Sequence, residues 1–157
     1  MSATSCIFSS KKWEISCLFS GVLIGLILSV YAVYIEYNAG IDADYVATCD
    51  ISAHISCSKV LTSEYARIFT KFGLVSENSI LDKPNAQFGI LFYILVACLY
   101  SLSSRFNSVR LVLLCISIFA LVLATALAYI MAEILYNLCI ICVGTYVANF
   151  LIFFSAL

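Results

Sequence analysis

The chain has 157 residues, 64% of them hydrophobic and 11% charged, with one proline and a mean hydropathy of +1.08. A soluble domain carries about 45–50% apolar and about 25% charged residues, so this chain cannot clothe itself in polar surface, and it has too much to bury to be disordered. Eight Lys and Arg against nine Asp and Glu leave a net charge of −1, which excludes the basic face of a nucleic-acid binder. What remains is an integral membrane protein.

Apolar runs of roughly 20 residues can cross the hydrocarbon core as helices. The first expected helix, 15–36, follows Lys11 and Lys12, carries no charge before Glu36, and outlasts the ~7–15-residue core of a signal peptide. It reads as an uncleaved anchor. Gly21, Gly25 and Ser29 form a small-residue row on it, which lets a neighbouring helix approach closely. The second helix, 85–102, opens behind Pro84 with Asn85 at its start. The third runs over 109–132. The fourth, 134–157, is set off by Glu133 and softened by Asn137. None of these runs shows the period-2 polar alternation of a membrane barrel. The expected fold is therefore all-α and integral to the membrane: a single domain over 1–157, a four-transmembrane-helix bundle with an extramembrane cap over about 37–84.

Basic residues orient such a bundle. Lys11, Lys12, Arg105 and Arg110 are dense on one side, whereas Lys59, Arg67, Lys71 and Lys83 are spread through the long segment on the other. Both termini are expected in the cytoplasm and the cap on the lumenal or exterior side. Within the cap, Val60, Leu61, Tyr65, Ile68, Phe69 and Phe72 have helix-like spacing. This predicts a short amphipathic helix that lies on the membrane or lids the bundle, or else a structured loop with a small core of its own.

The eight cysteines divide by position. Cys6 lies in the N-terminal tail, and Cys17, Cys98 and Cys115 lie in or beside apolar helices, where cysteine behaves as a small hydrophobe; Cys6 or Cys17 could instead carry a palmitoyl group. Cys49 and Cys57 lie in the cap, and Cys139 and Cys142 form a CxxC at the start of the fourth helix, on the same side. All four can meet in an oxidising compartment. On a helix, CxxC places both sulfurs on one face, and the positive potential of a helix start favours thiolate. Four converging cysteines, with His54 as a spare, could bind zinc; no metal is assigned. A CxxC at the membrane boundary lies where quinones dissolve, and a second pair on a mobile loop could pass it electrons by thiol–disulfide exchange. Cys139, Cys142 and Tyr146 follow one helical stripe. Tyr146 and Asn85 are candidate donors to the two oxygens of a quinone, although Asn85 also reads as a helix cap. His54 is an exposed loop residue with no assigned role.

These residues resemble the vitamin K epoxide reductase family, and within it the vertebrate reductase-like branch. The resemblance is carried by Cys49-Asp50, Ile55-Ser56-Cys57-Ser58-Lys59-Val60, Phe72-Gly73-Leu74-Val75, Asn85 with Phe88-Gly89-Ile90-Leu91-Phe92-Tyr93, and Cys139-Ile140-Ile141-Cys142 with Thr145-Tyr146. It covers nearly the whole chain. It implies reduction of vitamin K 2,3-epoxide to the quinone, and of the quinone to the hydroquinone, in the endoplasmic reticulum membrane. It implies that Cys142 attacks the naphthoquinone, that Cys139 pairs with it, and that Cys49 and Cys57 relay electrons from lumenal thioredoxin-like oxidoreductases or small dithiols. It further implies that Asn85 and Tyr146 hold the ring oxygens, that Phe88 adjoins the substrate, that no cofactor is tightly bound, and that 4-hydroxycoumarins such as warfarin occupy the same pocket. Leu61 and Tyr65 depart from the aromatic-rich cap of mammalian relatives, and the chain reaches Leu157 without the basic tail the family leads one to expect.

Two other readings use the same residues. A quinone-linked oxidase would run the electrons the other way, generating disulfides. A claudin-like four-span scaffold would use Cys49 and Cys57 as a structural bridge but would leave the CxxC idle.

Overall fold

A computed structural model describes residues 3–42, 44–76, 79–103 and 107–157. The side chains of Cys6 and Lys11, and all of Glu77 and Arg105, lie outside the described residues. The chain is helical. Among the described residues there is no strand, only two isolated bridges, Ser52 with Ile55 and Ile55 with Leu138. The long helices are α1 (Ala3–Ile41), α4 (Asn85–Ser103), α5 (Asn107–Tyr129) and α6 (Ile140–Ala156). Between α1 and α4 come two short helices, α2 (Cys57–Leu61) and α3 (Ile68–Lys71), with a 3-10 turn at Glu64–Arg67.

Three stretches are long and apolar enough to cross a membrane: Lys12–Ile41, Asn85–Leu102 and Ser108–Ile134. A shorter apolar helix spans Ile140–Ala156. Their outer faces carry exposed Phe19, Ile27, Leu91, Phe119, Val122, Phe150 and Phe154, a surface suited to lipid and not to water. The protein is a membrane protein. At ~1.5 Å per residue, the 39 residues of α1 reach well beyond a hydrocarbon core of ~30 Å.

α1 packs along α6 and α4, and α5 packs on both of them. The small-residue row of α1 makes this possible. Gly21 lies against Ala148 and Ile152 of α6, Gly25 lies under the Tyr93 ring of α4, and Ser29 meets Gly89. Tyr93 is held over Gly25 by its hydroxyl, which donates to Asn149 Oδ1 at 3.0 Å. Leu18, Val96, Leu113, Ala148 and Ile152 complete this core.

Several boundaries differ from expectation. α1 begins at Ala3 and not at 15, and α5 covers Asn107–Tyr129 and not 109–132. α1 runs on to Ile41, so Glu36 lies inside the helix and not at its end. The amphipathic helix expected from the spacing over 60–74 is broken into α2, the 3-10 turn and α3. Its break has a local cause: the Thr62 and Ser63 hydroxyls turn back onto the Ser58 and Val60 carbonyls at 2.8 and 2.7 Å, ending α2. The fourth long helix begins at Ile140 and not at 134. After α5 the chain widens into a π turn at Ile130–Ile134, passes through Tyr136 in the left-handed region at φ 49°, and only then re-enters helix.

A methyl group at Gly25 would run into the Tyr93 ring, whereas one at Gly40 would meet nothing within 4 Å. Gly25→Ala is expected to destabilise the fold by about 1–3 kcal/mol and Gly40→Ala to leave it unchanged or slightly more stable; thermal unfolding in detergent micelles reads the difference.

Candidate active site

The CxxC sits where α6 begins. Cys139 is the residue before the helix, in extended conformation, and its sulfur caps it by accepting the Cys142 N–H at 3.2 Å. Only Cys142 is helical, so the pair does not ride together on a helix face as the i,i+3 spacing suggests. The cap nonetheless brings the sulfurs together. The Cys142 thiol donates to the Cys139 sulfur at 2.6 Å, and a dithiol so placed can become a disulfide with little backbone movement. Cys139 is fully buried, and its N–H donates to the Met131 sulfur at 3.2 Å. The π turn therefore has a function here: it swings Met131 under the cap.

The other pair is bonded, Cys49 to Cys57. Its loop is organised by Asp50, whose carboxylate accepts the Ser58 N–H at 3.0 Å, the Ser58 hydroxyl at 2.6 Å and the Ala47 N–H at 2.8 Å. Burial alone would raise the Asp50 pKa; the hydrogen bonds from Ser58, Ala47 and Ser56 outweigh it and hold the group at about 2. The loop is then tied to the start of α6 through backbone. The Ser56 N–H donates to the Leu138 carbonyl at 3.0 Å, and the Leu138 N–H donates to the His54 carbonyl at 2.8 Å. Cys57 follows one end of this tie and Cys139 the other, and both lie in one buried cluster with Cys49 and Cys142 packed against it. The His54 side chain is exposed; its backbone carbonyl makes the contact.

Cys142 opens onto a cavity of about 350 Å³, within the range of small-molecule sites. Its walls are Ser29, Ala32 and Glu36 of α1, Phe88, Gly89, Phe92 and Tyr93 of α4, Phe119, Leu123 and Leu127 of α5, and Thr145, Tyr146 and Asn149 of α6; Leu61, Tyr65, Ile68 and Phe69 roof it. Most of this lining is apolar. Phe88 packs edge-on against Phe69 of the roof, ring centroids 5.1 Å apart. Asn85 reaches the cavity but already holds the roof: its Nδ2 donates to the Tyr65 carbonyl at 2.8 Å and its Oδ1 accepts the Ile68 N–H at 3.3 Å. One amide hydrogen is left over. Asn85 is thus more than a helix cap, and the roof hangs from it.

The profile of the vitamin K epoxide reductase family matches residues 16–157. The chain belongs to the vitamin K epoxide reductase family. Vitamin K epoxide reductase complex subunit 1 of Mus musculus is 39% identical over 131 residues, covering 81% of this chain and 78% of that one. The same protein of Rattus norvegicus is 37% identical over the same coverage. This is a family of oxidoreductases, and a membrane protein with two cysteine pairs beside an apolar cavity is built as such an enzyme would be.

The structure brings Cys142, Asn85, Phe88 and Tyr146 to the wall of one cavity and sets Cys139 directly behind Cys142. Cys17, Cys98 and Cys115 are free and partly or largely exposed on the outer faces of the long helices. Sequence reasoning passed over Asp50, although its place beside Cys49 marked it, and over Glu36, treated as the end of a span. The signal for Glu36 is an ionisable residue at the far end of a stretch that carries no other charge after Glu14.

Because the Asp50 pKa is lowered from 3.8 to about 2, its carboxylate stabilises the loop fully above the ordinary value and loses that contribution as the pH falls through about 2. Asp50→Asn is expected to lower stability at neutral pH by about 1–3 kcal/mol. The gap to the wild type should close as the pH is taken from about 4 to about 2, followed by thermal unfolding across that range.

Proposed function

We propose that the protein reduces vitamin K 2,3-epoxide to the quinone, and the quinone to the hydroquinone, with electrons relayed from Cys49 and Cys57 to Cys139 and Cys142. The observation that carries this reading is a dithiol whose outer sulfur, Cys142, opens onto an apolar cavity while its inner sulfur, Cys139, is buried beside a second cysteine pair. The family's named members in mouse and rat are vitamin K epoxide reductase subunits.

In this mechanism the Cys142 thiol passes its proton to the Cys139 sulfur across their 2.6 Å contact, and the Cys142 thiolate so formed attacks the ring while Asn85 and Tyr146 hydrogen-bond its oxygens. Among the described residues, the Tyr146 hydroxyl makes no hydrogen bond and is available to the ligand, as is the spare amide hydrogen of Asn85. Cys139 then attacks Cys142 sulfur, the ring keeps the electron pair of the broken C–S bond, and the two sulfurs are left as a disulfide. With quinone the product is hydroquinone; with epoxide it is quinone and water. Each turnover moves two electrons and oxidises two thiols to one disulfide, so the cysteines themselves supply the redox chemistry and no tightly bound cofactor takes part. Reduced Cys57 attacks Cys139, Cys49 displaces it, and an external dithiol resets the outer pair.

The apolar helices and the distribution of Lys and Arg support a four-helix transmembrane bundle with both termini cytoplasmic and the cysteine pairs in a cap on the other side; the resemblance to the family supports the endoplasmic reticulum membrane, with that cap lumenal. Donors are then lumenal thioredoxin-like proteins or small dithiols. The roofed apolar cavity is also the place for flat aromatic inhibitors of the 4-hydroxycoumarin class, with Leu61 and Tyr65 among their contacts.

Cys142→Ser is expected to abolish turnover of vitamin K epoxide by purified protein with a small dithiol. Cys49→Ala is expected to abolish turnover driven by a thioredoxin-like donor and to spare turnover with a small dithiol that reaches the inner pair directly; equal loss with both donors rules out the relay. Tyr146→Phe should raise KM for the quinone about fivefold, the worth of one hydrogen bond, and an unchanged KM removes Tyr146 from ring binding.

A further inference from the structure

Glu36 is the acidic residue on the wall of the cavity. It completes a stripe on α1 with Ser29 and Ala32, spaced to face one way. Both of its carboxylate oxygens are buried, and neither has a hydrogen-bond partner among the described residues. A buried carboxylate without partners is costly, and a neutral acid far less so. Glu36 also lines a second cavity, of about 230 Å³, on the side of the roof, where Thr62, Ser63 and Arg67 are its polar neighbours. One side chain therefore forms part of the wall between the two spaces. The other titratable groups sharing these spaces are Tyr65 and Arg67 from the 3-10 turn, Tyr93 from α4, and Cys142 and Tyr146 from α6; α2 and α5 contribute none. Arg67 is already engaged by Asp82 at 3.2 Å.

Hydroquinone formation needs two protons in an apolar space. Tyr146 and Asn85 can hydrogen-bond the ring oxygens, but neither releases a proton readily at neutral pH. Resting on the reductase reading above, we infer that Glu36 is the catalytic acid that protonates the substrate oxygen, reloaded from water through the second cavity. The Cys142 thiolate adds to the quinone ring, its lone pair forming the C–S bond, and the charge left on the ring oxygen takes the proton of the Glu36 carboxylic acid. Cys139, as a thiol, attacks Cys142 sulfur; the C–S electron pair returns to the ring, and the Cys139 proton goes to the second oxygen. Two sulfurs are oxidised to a disulfide, the quinone is reduced to hydroquinone, and the Glu36 carboxylate recovers a proton from the outer cavity. With epoxide the same acid protonates the departing oxygen.

The test uses the 157-residue chain in detergent with vitamin K quinone and a small dithiol. Glu36→Gln keeps the shape and cannot give a proton; it is expected to lower kcat about 100-fold with KM held within about threefold. Glu36→Ala is expected to regain turnover with added formate, which a merely structural role would not allow. Glu133→Gln, at an exposed acid on the π turn, should leave turnover unchanged. An unchanged thermal midpoint and wild-type alkylation of Cys139 and Cys142 in Glu36→Gln establish that the site is intact. A wild-type enzyme that turns over normally, beside a Glu36→Gln variant within twofold of it or a Glu36→Ala variant that formate does not rescue, overturns the acid and leaves the reductase standing. A wild-type protein that reduces neither quinone nor epoxide overturns both.

Discussion

The two backbone hydrogen bonds of Leu138, to His54 and to Ser56, are the constraint on which the rest of the site depends. They are the joint between the cysteine loop and the start of α6. Without them the outer pair would move with a connection of short helices and turns, and the inner pair with a long helix. Every other feature of this corner serves the joint. Asp50 folds the loop so that Ser56 and Cys57 arrive in register, and the π turn with left-handed Tyr136 frees Leu138 from helix so that its N–H and carbonyl can point sideways. The departure from helix over 135–139 is the condition for the two pairs to meet.

Beyond the joint, the site is economical with polarity. The cavity is bounded mostly by aromatic and aliphatic side chains from all four long helices, and its polar groups are Cys142, Tyr146, Asn85, Glu36, Tyr65, the bonded pair Tyr93 and Asn149, and the small hydroxyls. In an interior of low dielectric, each such group is strong and each is costly if left idle. Small residues on α1 let the walls close. Gly25 allows Tyr93 to lie flat against the helix, and its hydroxyl, tied to Asn149, keeps that side of the cavity in place.

The membrane class and the approximate helices could be read from hydropathy alone, because a span must be apolar along its whole length and this leaves a signal in every window. That Cys142 and Tyr146 share one wall could be read because their spacing on α6 is local. Other features could not. The breaks at Thr62 and Ser63 depend on hydroxyls choosing their own helix carbonyls, which periodicity does not register. The late start of α6 depends on the pairing of Leu138 with a loop far away in sequence, and the groups that pair are backbone, which every residue carries alike. Glu36 was visible as a letter, but its meaning depended on how far α1 continues, and helix ends are where sequence patterns are weakest. Asn85 read equally well as a cap, because the carbonyl and N–H it serves lie in a segment whose path the sequence did not reveal.

Asn85 has a consequence of its own. Its amide grips the roof at Tyr65 and Ile68 while one hydrogen remains for whatever fills the space beneath. A ligand that takes that hydrogen orders the same side chain that holds the roof, so the two equilibria share a free energy, equal in either direction. Occupancy tightens the roof by the same factor that a tight roof improves occupancy. Residues that only touch the roof from outside, such as the Arg67 and Asp82 pair, thereby gain leverage over affinity without meeting the ligand.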